Sequence, residues 1–296
     1  MFIPCDHCLR KHAIHIVYSR VDGREERLRL CDECYRRHRE NSVQKPTLPD
    51  LDRNEQAIAK DLQAGLLPKR IPPIPGFDVS AFYRPAREVG GDYYDFVAID
   101  SDRLGMLVGD VSGKGVPGTI VMTETKALLR SESVRASSPA ETLQRVNRVL
   151  YQDIKRGMFV TLYYVVLEPK RSRLTCVSAG HNPLVLWRSA SNTLQLINPN
   201  GIALGVDRGP LFERTLKEQT IDLSKGDRFA LYTDGVIESM NRQNEQFGQN
   251  RFYLRVKQLA DKSSSEFLSQ LTREVDAHQG DAAQHDDITI LTGRVI

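Results

Sequence analysis

The sequence predicts an α+β protein, with helices layered against largely antiparallel sheets and a small metal-stapled module ahead of them. Three observations lead there. Apolar runs such as Phe159–Leu167 are too short to span a membrane but suit strands buried on both faces. Strands and helices do not alternate regularly, which disfavours a doubly wound parallel sheet. Four of the five cysteines fall within the first 34 residues, far from the long apolar runs.

Those four are Cys5, Cys8, Cys31 and Cys34, two Cys-x2-Cys pairs separated by 22 residues. Each short loop points two sulfurs at one centre, so the pairs can close a tetrahedral thiolate shell around a structural zinc ion. Two disulfides or redox pairs are the competing reading, and the absence of a secretory signal weighs against oxidation. The gap accommodates a hairpin from Ala13–Tyr18 through Asp22-Gly23 to Arg27–Leu30. About 40 residues bury little core, so zinc would supply much of this module's folding energy.

Residues 1–40 are read as this module and 41–50, with Pro46 and Pro49, as a linker. Residues 51–70 hold an adaptor helix whose Ile58, Leu62 and Leu66 recur every four positions. Pro68, Pro72, Pro73 and Pro75 terminate it. Its stripe is read either as intrachain packing or as a homodimer or regulatory contact. From residue 71 to 296 the strands are Phe77–Tyr83, Leu104–Val111, Phe159–Leu167, Leu174–Ala179, Leu184–Trp187, Arg228–Thr233 and Ile288–Val295. Pro117–Arg130, Pro139–Ile154 and Ser264–Asp276 suit helices. Leu143, Val146, Leu150 and Ile154 form the buried stripe of the second.

The 296 residues carry 41 basic and 38 acidic side chains, a net charge of +3. Neither sign dominates, so a nucleic-acid coat is excluded and no nucleic-acid partner is expected. No membrane association is expected either, and the amino terminus lacks the pattern of a secretory leader. Both point to a cytoplasmic protein.

The acidic residues are unusually placed. Gly90-Gly91-Asp92-Tyr93-Tyr94-Asp95 follows one strand, and Gly109-Asp110-Val111-Ser112-Gly113-Lys114-Gly115 ends another. Tyr232-Thr233-Asp234-Gly235 ends a third, and His285-Asp286-Asp287-Ile288-Thr289 opens the last. Single Asp-Gly turns are common. Several acidic turns converging on one rim are costly unless a cation compensates them, and oxygen-only ligands favour Mg or Mn. The Gly109–Gly115 loop lacks a hydroxyl directly after Lys114, so it is not a nucleotide-cradling loop.

Taken in order, these blocks resemble the bacterial PP2C-like (PPM) metal-dependent serine/threonine phosphatases, in the branch that regulates sigma factors in stress response and sporulation. Leu66-Leu67-Pro68, Ala179-Gly180-His181-Asn182-Pro183, Phe247-Gly248 and the final Asp-Asp-Ile-Thr complete the set. The resemblance spans roughly residues 55–296. It implies an α-β-β-α sandwich of two antiparallel sheets flanked by helices.

It also implies roles. Asp110 would bridge two Mn or Mg ions, helped by the Val111 carbonyl, with Asp234 and Asp286 completing the second ion's shell. Asp92 would hold metal-bound water or contribute directly. Asp95, Asp287 and His181 are supporting candidates; for His181 a loop-shaping hydrogen bond is favoured over a proton shuttle. Arg87 is either a phosphate grip or a surface residue, and Glu238 an orienting group. Two metal ions activating a water would hydrolyse a phosphomonoester without a protein nucleophile, which leaves Cys176 a core thiol. The substrate would be a phosphoserine or phosphothreonine protein, such as an anti-anti-sigma factor. A signalling scaffold with a degenerate phosphatase domain is the alternative.

Overall fold

The computed structural model describes residues 8, 15–21, 24–34, 53–113 and 115–296. Cys5, Lys114, the 22–23 turn and the 41–50 linker lie outside the described residues. The chain divides into two units, Met1–Arg53 and Asn54–Ile296.

In the first unit, β1 (His15–Val21) pairs antiparallel with β2 (Arg24–Leu30), placing His15 opposite Leu30 and Val21 opposite Arg24. The strand runs directly into Cys31, which is buried, as is Cys34. The Cys8 and Cys31 sulfurs lie 3.9 Å apart.

The second unit holds all of α1 (Arg53–Leu66) but its first residue and is built on two five-stranded antiparallel sheets. The first sheet contains β4 (Tyr93–Ala98), β5 (Leu104–Val111), β6 (Val160–Glu168), β7 (Arg173–Ala179) and β10 (Glu218–Asp222), in the order β10-β7-β6-β5-β4. The second contains β3 (Phe77–Arg84), β8 (Leu184–Arg188), β9 (Thr193–Ile197), β11 (Arg228–Tyr232) and β12 (Ile288–Val295), in the order β3-β12-β11-β8-β9. α2 (Val116–Ser133) and α3 (Pro139–Asp153) cover the first sheet. α6 (Gln249–Gln258) and α7 (Ser264–Gln279) cover the second, while α4 (Pro210–Thr215) and α5 (Asp234–Ile237) are single turns or little more.

Strand alternation explains the layering. Along β6, Val160, Leu162, Tyr164 and Val166 face the α2–α3 layer, while Tyr163, Val165 and Leu167 face the second sheet. β11 does the same, with Phe229 and Leu231 between the sheets and Ala230 and Tyr232 under α6 and α7. A strand buried on both faces must be apolar throughout, and that is what the uninterrupted runs report. Helix ends are fixed locally. Ser138 accepts a hydrogen bond from the Glu141 amide ahead of Pro139, and Ser263 and Glu266 form a reciprocal capping box on α7.

The structure adds elements that the sequence pattern left out. β9 and β10 are edge strands, largely exposed, so they lack apolar alternation. β4 is interrupted by Asp95, whose burial is possible because Lys126 and Arg130 of α2 reach it at 2.7 Å. α6 buries only Phe252 and Val256, too few for a recognisable stripe. The α1 stripe is split. Leu66 and Leu67 pack on the α2–α3 layer, whereas Ile58 and Leu62 are 58% and 66% exposed. Among the described residues, no helix is long and apolar enough to cross a membrane.

Candidate active site

Register brings the acidic turns together. Tyr93 pairs with Gly109, so Asp92 and Asp110 lie at the same end of β4 and β5. Asp110 pairs with Thr161 on β6, and Leu162 with Ala179 on β7, which puts His181 at that end too. In the other sheet Tyr232 pairs with Ile290, and the Thr233 amide donates to the Thr289 carbonyl at 3.1 Å. Asp234 begins α5 directly beyond that strand.

Two threonines join these sheet ends. The hydroxyls of Thr233 and Thr289 donate to the same Asp92 oxygen, Oδ2, at 2.6 and 2.8 Å. Asp92 is buried, and its proton affinity is raised well above the usual carboxylate range. Burial is the largest cause, repulsion from Asp110 the next, and the two hydroxyl hydrogen bonds oppose them. A buried carboxylate facing another carboxylate calls for a proton or a cation.

Asp110 and Asp234 line a cleft of about 210 Å³ with Ser112, Phe159, Thr161, His181 and Asn182. A smaller cavity of about 70 Å³ is lined by Gly235, Glu238, His285 and Asp286, one residue from Asp234. Gly235 packs hard on the Asp286–Asp287 backbone: an added Cβ would lie 1.9 Å from the Asp287 carbonyl oxygen. A further cavity, about 450 Å³, is lined by Pro72–Gly76, the β4–β5 turn, Pro169 and Lys170. It sits at the other end of β4 and β5 from Asp92 and Asp110, away from the acidic cluster.

The supporting candidates separate. Asp287 is a loop clamp. Its Oδ1 accepts from the Ala86 amide at 2.7 Å, and its Oδ2 from the Gly91 and Asp92 amides at 2.7 and 3.2 Å. Asp95 faces α2, bound by Lys126 and bidentately by Arg130. Arg87 is exposed on the β3–β4 loop and is not part of the cleft lining. His181 bonds Thr161 Oγ1 through Nδ1 at 2.9 Å. Its Nε2 is buried without a well-formed hydrogen bond, although the Tyr232 backbone offsets a small part of the burial effect. Burial lowers the His181 pKa to about 4, so the ring is neutral at neutral pH.

Three contributors carried no functional signal in the sequence. Thr233 and Thr289 sit inside recognised motifs, but only the meeting of the two sheets shows that both serve Asp92. Gln63 of α1 lies off the apolar stripe. It donates to the Gly90 carbonyl at 2.7 Å and accepts from the Gly90 amide at 3.0 Å, so α1 holds the loop that carries Asp92.

The donor set suits hard divalent cations. Every candidate is an oxygen ligand, Asp92 needs compensating charge, and no three of these carboxylates converge within 4.8 Å among the described residues. Magnesium-like ions commonly take one or two carboxylates each and complete their shells with water and phosphate oxygens. The cysteines are the contrasting case, because the sulfurs of Cys8, Cys31 and Cys34 all lie within 4.8 Å of one another.

Residues 100–296 match the family described as Stage II sporulation protein E (SpoIIE). The chain is 31% identical over 186 residues to Phosphoserine phosphatase RsbU of Bacillus subtilis (strain 168), covering 63% of this chain and 54% of that protein. The chain thus spans about half the length of that relative. Its fold is shared with the SiaA-PP2C domain of Pseudomonas aeruginosa, with a TM-score of 0.71 at 22% identity over 81% of this chain and 96% of that one. The RsbU and RsbW domains of Rv1364c from Mycobacterium tuberculosis superpose with a TM-score of 0.65 at 27% identity, over 75% and 61% of the two chains.

Proposed function

The chain belongs to the Stage II sporulation protein E family, and from that membership we propose that it is a metal-dependent protein serine/threonine phosphatase. Its substrate would be a regulatory phosphoprotein of the anti-anti-sigma type. The observation that carries this reading is the buried, charge-starved Asp92, held between two sheets beside a cleft lined by Asp110 and Asp234.

Asp110, the Val111 carbonyl, Asp234, Asp286 and Asp92 would hold two Mn or Mg ions. Such ions supply an activated water and neutralise phosphoryl charge. The chain's own groups prepare the place. Thr233 and Thr289 fix the rotamer of Asp92, while Asp287 and Gln63 both hold the Gly90–Asp92 loop by its backbone. His181 stays neutral and braces Thr161 beside Asp110. Cys176 is fully buried and burial pushes its thiol up to about 11, so it is unsuited to act as a nucleophile.

Cys8, Cys31 and Cys34, with Cys5 as the fourth ligand, would bind one structural zinc. The exposed Ile58 and Leu62 of α1 would serve a homodimer or regulatory contact. A cytoplasmic site of action would keep these thiols reduced and available to zinc.

The test is hydrolysis of p-nitrophenyl phosphate and of a phosphoserine protein by the full chain, with and without Mn. Asp110→Ala and Asp234→Ala should abolish both activities while leaving the circular dichroism spectrum intact. Metal-saturated wild type that hydrolyses neither substrate would discard the reading.

A further inference from the structure

Beside the cleft runs a ledge made by two loops. One, residues 154–159, joins α3 to β6; the other, residues 204–209, leads into α4. Phe159 belongs to both ledge and cleft: it lines the cleft with Asp110 and Asp234, yet its side chain is 38% exposed. Val206 is 56% exposed, and Lys155, Arg156 and Arg208 are exposed as well.

The ledge is rigid. The Ser112 amide donates to the Phe159 carbonyl at 2.9 Å, and the Phe159 amide donates to the Ser112 hydroxyl at 2.7 Å. Val160 and Leu204 exchange two backbone hydrogen bonds, at 3.0 and 2.9 Å. Asn147, fully buried, donates to the Asp207 carbonyl and accepts from the Gly205 amide, each at 2.9 Å. A surface already ordered loses little entropy on binding, so its contacts are expressed as affinity.

Its charge is one-sided. The ledge's acid, Asp207, is turned onto the start of α4, where it accepts from the amides of Gly209, Leu211 and Phe212. Lys155, Arg156 and Arg208 have no carboxylate partner among the described residues. An acidic cleft thus adjoins a basic, partly apolar shelf, which fits an extended anionic segment better than a small phosphate ester.

We propose that this ledge, Lys155, Arg156, Phe159, Val206 and Arg208, selects phosphoproteins carrying an apolar and an acidic side chain within a few residues of the phosphorylated serine or threonine. The assignment rests on the phosphatase reading above. Phe159 and Val206 take the apolar side chain, and the three cations take the carboxylate.

The experiment uses the full chain saturated with Mn and three probes: p-nitrophenyl phosphate, a phosphoserine peptide flanked by Leu and Glu, and the same peptide with both flanks replaced by Ser. Wild type should favour the Leu/Glu peptide over the Ser peptide by about tenfold or more in kcat/KM, about 1.4 kcal/mol. Val206→Ser and the Arg156→Glu/Arg208→Glu double variant should each shrink that ratio. The double variant should also prefer a Leu/Lys-flanked peptide, a reversal that a merely damaged fold would not produce. Equal kcat/KM for the two wild-type peptides, or a ratio unmoved in all variants, would overturn the ledge while p-nitrophenyl phosphate turnover still upheld the phosphatase. Wild type inert toward all three probes would overturn the phosphatase reading and the ledge with it.

Discussion

Replacing Asp287 by alanine tests how much of the site is held by backbone hydrogen bonds to one carboxylate. The side chain accepts from three amides, two at 2.7 Å and one at 3.2 Å. Alanine leaves the buried Gly91 amide without an acceptor, at a cost of about 1–3 kcal/mol. The longer Asp92 bond adds less, and the Ala86 amide, only half-buried, recovers water. One effect works in the opposite direction, because Asp287 is among the charges that raise the proton affinity of Asp92. The amide penalties outweigh this repulsion, which Asp287 exerts only as a lesser cause. The net loss should be about 2–4 kcal/mol, or a fall in Tm of about 5–15 °C for a domain of this size. With the 86–92 loop released, the Mn concentration giving half-maximal hydrolysis should rise several-fold. Asp287→Asn retains one acceptor oxygen and should lie between alanine and wild type. Thermal unfolding and a Mn titration provide the measurements. An alanine variant melting within about 2 °C of wild type, with the same Mn dependence, would refute the clamp.

His181 should impose a pH dependence on stability. Its folded pKa of about 4 lies below the ordinary histidine value of 6.5, so the unfolded chain binds the extra proton first as pH falls. Stability from this group is fully present above pH 6.5 and should decline by about 3 kcal/mol by pH 4, a slope that His181→Gln should flatten in urea titrations. Asp95→Ala leaves the Lys126 ammonium buried without its partner and should cost about 3–5 kcal/mol, read by the same unfolding assay; less than 1 kcal/mol would show that α2 is not anchored there. Zinc analysis should find one equivalent in wild type and little in Cys31→Ser or Cys34→Ser, with Mn-dependent turnover retained; unchanged zinc would remove both thiols from the ligand set.

Sandwich class and strand identity were legible wherever burial on both faces imposed an apolar run, as in β5, β6 and β11. They faded at β9 and β10, where an edge strand needs no such run, and at β4, where Asp95 breaks the pattern and is stabilised by α2, residues distant in sequence. The clustering of Cys8, Cys31 and Cys34 was legible from their spacing, because Cys31 and Cys34 share one short turn. The face-to-face packing of two sheets, and of α2 on the first of them, decided the rest. They made Thr233 and Thr289 partners of Asp92, turned Asp287 into a backbone clamp, and faced Asp95 onto α2. The helix stripe divided as well: Leu66, half-buried, packs against the core, while Ile58 and Leu62 stay in water. Local sequence determines which residues can bond and which faces must be dry. Which partners meet depends on strand register and sheet packing, and these arise from contacts between segments far apart in the chain.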